Sequence, residues 1–530
     1  MARVEGPLDE MLRLDARGIA SKVRNRELSA VDVVEAHIAR IEHVDLTLNA
    51  VVIPLFEEAR EQARAADAAT ARGDELGPLH GVPVTIKEQY RVAGTQTTLG
   101  ASARVGNVYN DEGPLVSALR SAGAVVLGKT NIIQTLAGWE SDNPVYGRTN
   151  NPWNLDRTPG GSSGGEAAII AAGGSPLGLA GDFGGSTRLP AHFCGVHGFK
   201  PTSTRLTNAD FATGLLGYGQ EAFIPQPGPI ARSVGDLALA MEIFAATSLT
   251  PTFDLVPPVP WSDPERIAVE GLHIGFSTDN NMYAVSPAIR RAVEDAAAAL
   301  TEMGAKVSPI APPDAQEGAA IFLAAASAGG SQDYVELLSG ERPIPQVAGL
   351  LRGAKTPAPV RALLPRLLER RGQHALAETM RNVGRRSAAD YWEVVEARTR
   401  YRDNFRLALQ SAGLDAVICP PVALPAFTHG ASEHLFPAVS YAFVYNVLGA
   451  PAGVVSTTRV RPGEEGRRES SDDMSVRAGI EVEQGSAGLP VGVQVVGPHW
   501  RDDVVLAVMA ALEAHFRGTD DYPATPIDPA

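Results

Sequence analysis

Two glycine-flanked serine sites lie close together in this chain: Pro159-Gly160-Gly161-Ser162-Ser163-Gly164-Gly165-Glu166 and Gly181-Asp182-Phe183-Gly184-Gly185-Ser186-Thr187-Arg188. Glycine before a serine removes the Cβ restriction, so the backbone can turn sharply and present the hydroxyl. Successive N–H groups in such a turn can converge on one anionic oxygen. The pattern is that of a serine nucleophile with a second serine beside it, and it calls for a base. The N–H groups of Phe183, Gly184, Gly185 and Ser186 are the expected oxyanion hole. Asp182 and Arg188 flank Ser186; they either fix its loop or form an ordinary ion pair that holds a turn.

The base candidate lies upstream, in Gly81-Val82-Pro83-Val84-Thr85-Ile86-Lys87. Residues 82–86 read as a short buried strand with Lys87 at its end. A solvated lysine is charged at pH 7 and cannot accept a proton, whereas a desolvated one can. Read alone, Lys87 is also an ordinary strand-end cation facing water, because lysines are seldom buried unless paired.

Together, the Gly-Val-Pro-Val-x-Ile-Lys context of Lys87, the run around Ser162 and the Asp-x-Gly-Gly-Ser-x-Arg run around Ser186 resemble the amidase signature family. That family works with a Ser-cisSer-Lys triad. The resemblance implies that Ser186 is the nucleophile, Ser162 the bridging serine and Lys87 the base, with Ser163, Asp182 and Arg188 supporting the loops. Asn151-Pro152-Trp153, Phe193-Cys194-Gly195, Gly198-Phe199-Lys200-Pro201-Thr202 and Tyr445-Asn446 are similar to the branch that contains fatty acid amide hydrolase. The chain departs from that branch at Phe183, where relatives often carry Thr or Ile, and at Ala137, where an aromatic residue is common. Leu136 and Trp139 fall in the segment that lines the acyl pocket of that branch; core packing is the competing reading.

These residues need a scaffold, and a rhythm of helix, glycine, strand supplies one. Residues 114–121, Gly123 and 124–127 form one such unit. The helix opened by Ser286-Pro287 and stopped by Gly304 before Lys306-Val307 forms another. Residues 405–412, Gly413 and 415–419 form the third. Helices are also expected from Ser29, as N-cap, to about 44 and over 56–71. Further strands are expected at 272–276, 453–460 and 491–496. The helix that follows Ser162 and the small-residue strand 177–180 deliver the two serine loops. An α/β layer fold follows, with helices packed on a central sheet. The family resemblance implies a large mixed sheet covered by helices on both faces. It also implies a single domain over 1–530, with a signature core at about 75–235 and a cap insertion at about 340–390.

Composition sets limits. The formal net charge of −15 disfavours nucleic acid as a partner. The only two cysteines, Cys194 and Cys419, give no disulfide framework and suit a reducing, cytoplasmic compartment. No metal-ligand spacing is present, so neither metal nor cofactor is expected. The N-terminus lacks the apolar core of a signal peptide, and no run is long enough to span a bilayer. Over 342–386 the charge balance inverts: Arg352, Lys355, Arg361, Arg366, Arg370, Arg371, Arg381, Arg385 and Arg386 interleave with leucines including Leu350, Leu363 and Leu367. This segment reads either as a solvated helical hairpin paired with the acidic remainder, or as a peripheral membrane contact. Residues 461–488, rich in charge, Gly and Ser, read as a long mobile loop between two strands.

The function expected is hydrolysis of a small-molecule carboxylic amide with an apolar, aryl or fatty acyl group. It yields a carboxylate and an amine or ammonia through a Ser186 acyl-enzyme, and esters and carbamates react as well. Two alternatives compete. One is the glutaminase subunit of an amidotransferase, which uses the same triad and needs a partner. The other is an α/β-hydrolase, since Gly160-Gly161-Ser162-Ser163-Gly164 matches Gly-x-Ser-x-Gly; that reading needs a histidine such as His429 or His434 and a strand before Ser162. A homodimer is the family-level expectation.

Overall fold

A computed structural model describes residues 7–209, 220–248, 256–466 and 468–530. Eleven strands form one sheet: β1 (Val51–Pro54), β2 (Pro83–Lys87), β3 (Val125–Thr130), β4 (Leu177–Asp182), β5 (His197–Lys200), β6 (Gln226–Ala231), β7 (His273–Phe276), β8 (Lys306–Pro309), β9 (Ala416–Cys419), β10 (Ala452–Arg459) and β11 (Pro490–Val496). Their order across the sheet is β1-β3-β2-β4-β6-β5-β10-β11-β9-β7-β8. β2 runs parallel to both β3 and β4, while β4 to β11 pair antiparallel through β6, β5 and β10. At the far side β9, β7 and β8 are parallel again. The sheet is therefore mixed.

Every residue of β2, β3, β4, β6 and β11 is buried. Successive strand residues point to opposite faces, so uninterrupted burial requires helices over both faces. The rhythm read from the sequence is present. The helix Pro114–Ser121 precedes β3 and Pro287–Glu302 precedes β8. Ser29 caps Ala30–Leu48 by accepting the Asp32 N–H at 2.9 Å.

Two expectations need correction. The helix before β9 is not confined to 405–412 but runs over Ala388–Ala412, opened by a reciprocal cap between Ser387 and Asp390. Residues 461–488 are not simply a loop. Asp473 caps a helix, Met474–Glu483, that buries Ala478 and Val482 one turn apart. Burying one apolar stripe outweighs the charged surroundings.

The basic segment forms three helices, Pro345–Lys355, Ala358–Arg370 and His374–Asn382. Val360, Leu363 and Leu367 of the second are 51%, 66% and 46% exposed. The side chains of Leu350 and Lys355 lie outside the described ones. No described helix is long and apolar enough to cross a membrane.

Candidate active site

β2 lies between two parallel neighbours, so the side chain at its end emerges inside the protein. Lys87 is 1% exposed. Its Nζ lies 2.8 Å from Ser162 Oγ and 3.3 Å from the Gly181 carbonyl. Burial lowers the Lys87 ammonium to about 7, against the opposing pull of Asp182, Glu166 and Glu88. A substantial neutral fraction therefore exists at physiological pH, and a neutral amine accepts a proton from a hydroxyl.

The Ser162 loop is held by close backbone packing. A Cβ on Gly161 would lie 1.8 Å from the Glu140 carbonyl oxygen, so only glycine fits. The Gly161–Ser162 peptide is cis. The Ser141 hydroxyl donates to the Gly160 carbonyl and accepts from the Gly164 N–H, both at 3.0 Å, pinning the loop on either side of the serines. Ser163 ties this loop to the other: its N–H donates to the Ser186 carbonyl and its hydroxyl to the Gly181 carbonyl, each at 3.3 Å. Glu166, in the first turn of the helix Gly164–Ala171, is buried and takes hydroxyl donors from Thr85 and Thr130. Burial raises its carboxyl to about 7.

β4 carries the second loop. Asp182, at its end, accepts from the Gly185 N–H at 2.7 Å, the Thr187 N–H at 3.2 Å and Asn446 Nδ2 at 2.9 Å. Arg188 binds it through two nitrogens at 2.9 and 3.0 Å. Burial alone would raise the Asp182 carboxyl, but Arg188 and Asn446 outweigh it and hold the group well below the usual carboxylate range. Arg188 also donates to the Ala442 carbonyl, Gln494 Oε1 and Asn446 Oδ1. The pair is thus a fully bonded strut beneath the Ser186 turn, in which Gly185 has a φ of 106°.

This strut also engages one of the expected oxyanion donors. The Gly185 N–H is directed to Asp182. In the turns and loops of the described residues, the N–H groups of Phe183, Gly184 and Ser186 meet no acceptor.

Ser186 opens on a cavity of about 530 Å³. Leu136, Trp139 and Phe183 line it, together with Phe322 and Phe436. Phe183 continues into an aromatic stack: its ring centroid lies 5.0 Å from that of Phe223, and Phe322 stacks on Phe443 at 4.8 Å. Ala137 also lines the cavity, leaving room where an aromatic side chain would stand. Arg352, Glu433, His434 and Asp473 add charged and polar groups to the lining. Phe322 and Phe436 carried no sequence signal, because they arrive from helical segments far along the chain. Asn446 was flagged only as part of a motif; its bond to Asp182 depends on tertiary placement.

The α/β-hydrolase reading fails on geometry. Ser162 follows a loop rather than a strand, and the titratable group bonded to it is Lys87 rather than a histidine. His429 is engaged with the Leu155 carbonyl at 3.2 Å. Cys194 is buried against the Pro159 carbonyl, with its thiol pushed far up by burial, as suits a packing residue.

Comparison with known proteins places this geometry among relatives. A family model described as Amidase matches residues 32–506. Fatty-acid amide hydrolase 1 of Sus scrofa is 32% identical over 523 residues, covering 95% of this chain and 86% of its own. A glutamyl-tRNA(Gln) amidotransferase subunit of Streptomyces avermitilis is 30% identical over 521 residues, covering 96% of each. Among solved structures, a fatty acid amide hydrolase superposes with a TM-score of 0.83 at 27% identity, covering 97% of this chain and 87% of that one.

Proposed function

The chain belongs to the amidase family and is an amidohydrolase, and on that premise we propose that it hydrolyses amides of apolar or aryl carboxylic acids through an acyl-enzyme on Ser186. The observation that carries this is the buried Lys87 amine at 2.8 Å from Ser162 Oγ, beside a serine that opens on an apolar cavity. In this reading neutral Lys87 takes a proton from Ser162 as Ser162 takes one from Ser186. Ser186 Oγ attacks the carbonyl carbon, and the N–H groups of Phe183, Gly184 and Ser186 bind the oxyanion. Each such donor contributes roughly 3 kcal/mol to the transition state. The relay then returns the proton to the leaving nitrogen, which is a poor leaving group until protonated. Water deacylates Ser186 by the same path.

The name of the Streptomyces relative supports a second reading, a glutaminase subunit that needs a partner. Leu136, Trp139, Phe183, Phe322 and Phe436 around the cavity favour an apolar acyl group over the charged end of glutamine. A panel of an aryl acetanilide, a long-chain fatty amide, an amino-acid amide and glutamine separates the two. Turnover of an apolar amide that Ser186→Ala abolishes is expected. Glutamine as the sole substrate would support the second reading, and turnover surviving Ser186→Ala would remove Ser186 as nucleophile.

We further propose that the helix Ala358–Arg370 rests on anionic membrane surfaces. Val360, Leu363 and Leu367 share one exposed face, Arg366, Arg370 and Arg371 are exposed nearby, and Leu364 of the same helix lines the cavity. Co-sedimentation with anionic liposomes is expected, and neutralising the three arginines should reduce it. Equal sedimentation of both forms would remove the proposal.

A further inference from the structure

The Gly184–Gly185 peptide has no Cβ on either side to fix its orientation, yet both of its polar ends are taken. Its N–H donates to Asp182 Oδ1 at 2.7 Å. Its carbonyl accepts from Trp139 Nε1 at 2.9 Å. A peptide between two glycines rotates with little steric resistance, so these two bonds decide which way it faces. Rotation would turn the carbonyl toward the Asp182 carboxylate, which repels it, and would leave the indole N–H without an acceptor. The indole has a single donor and nothing else to offer. It is held in place by Phe436, whose ring centroid lies 5.9 Å away, and by a turn in which Thr135 and Leu136 both adopt left-handed φ of 59° and 61°.

We infer that Trp139 is a positioning residue for the oxyanion-binding loop. It keeps the Gly184 carbonyl masked at the edge of the cavity and so fixes the direction of the neighbouring N–H groups of Phe183, Gly184 and Ser186. The inference rests on the proposed Ser186 chemistry. Trp139 does not touch the reacting atoms in it; it acts through the peptide whose oxygen it holds. A carbonyl dipole left free beside a developing oxyanion opposes the charge that the N–H groups are there to stabilise. Trp139 also lines the cavity, so a role as mere wall must be told apart from a role as clamp.

The distinguishing readout is affinity for an arylboronic acid, which forms a tetrahedral anion on a nucleophilic serine, against affinity for the matching aryl carboxylate, which does not. Full-length wild type, Trp139→Phe, Trp139→His and Ser186→Ala are compared, with an aryl ester and its anilide as substrates. Trp139→Phe keeps an aromatic ring but loses the N–H. Its kcat and boronate affinity are expected to fall together by about tenfold, less than for direct loss of an oxyanion donor, with KM and carboxylate affinity within about twofold of wild type. Trp139→His keeps an N–H at the same position of a five-membered ring. It is expected to hold boronate affinity within about threefold of wild type relative to the carboxylate. This variant carries the test alone if the phenylalanine variant does not fold. Boronate affinity unchanged in Trp139→Phe, a loss shared equally by boronate and carboxylate, or a folded Trp139→His that loses boronate affinity as fully as phenylalanine would each overturn the inference while Ser186→Ala remains silent. Turnover or tight boronate binding that survives Ser186→Ala would instead overturn the Ser186 reading itself, and the inference with it.

Discussion

Two buried cations stand on either side of the serine loops, and they have opposite fates. Arg188 is fully buried but meets the Asp182 carboxylate through two bonds, plus a carbonyl and two side-chain oxygens. With the Asp182 carboxylate it braces a turn. Lys87 is equally buried, yet the atoms bonded to its amine are a serine hydroxyl and a carbonyl at 3.3 Å. Among the described residues no carboxylate bonds directly to it, and burial pulls it down to about 7. Burial alone therefore does not decide whether a cation becomes architecture or chemistry; the partner it is given does. Lys200 sharpens the point. It too is buried and lowered to about 7 by burial, but its amine caps the Pro201 and Ala450 carbonyls at 2.9 and 2.6 Å. Neither acceptor carries a proton to give up, so a softened lysine there has nothing to deprotonate.

The contrast can be broken by removing each cation in turn. Lys87→Met should lower kcat by about 10²- to 10⁴-fold, the range of a lost general base, with a urea midpoint close to wild type. Steady-state turnover and urea titration on the same preparation check this, and a loss of less than about tenfold would count against Lys87 as the base. Arg188→Met should do the reverse in character. It leaves the Asp182 carboxylate buried without its partner and should cost about 3–5 kcal/mol of stability, read as a lower urea midpoint. Activity should fall as a consequence of the loosened Ser186 turn. Full stability in Arg188→Met would mean that the pair is not the strut described.

How much of this could be read from the residues alone follows from where each signal lives. The two serine loops were legible as glycine-flanked runs, whereas Lys87 was singled out only by the family resemblance of its context. The strands near 82–86 and 177–180 were legible as short apolar runs; the first lies one residue later, over Pro83–Lys87, and the second runs two residues further, to Asp182. The first half of Ala388–Ala412 was missed because much of that helix faces solvent; Trp392 in it is 71% exposed, so no apolar stripe marks it. The Ser387-x-x-Asp390 cap was the signal that could have found it. The bond from the Gly185 N–H to Asp182 was not legible, because it depends on where the Asp182 carboxylate turns after Arg188 and Asn446 have claimed it. Leu136 and Trp139 lay in a segment that the family resemblance pointed to, whereas Phe322 and Phe436 were supplied only by the folded chain.

The most direct test of the central claim is the pH dependence of kcat/KM on an apolar amide, measured for wild type and for Lys200→Met. A base lowered to about 7 is protonated and idle below that value and neutral above it, so activity should climb with pH through a limb near 7. Glu166, raised to about 7 by burial and electrostatically linked to Lys87, shares that limb. Lys200→Met should leave the limb where it is. A wild-type profile flat through neutrality, or a limb that disappears with Lys200 instead, would contradict the assignment of Lys87 as the base.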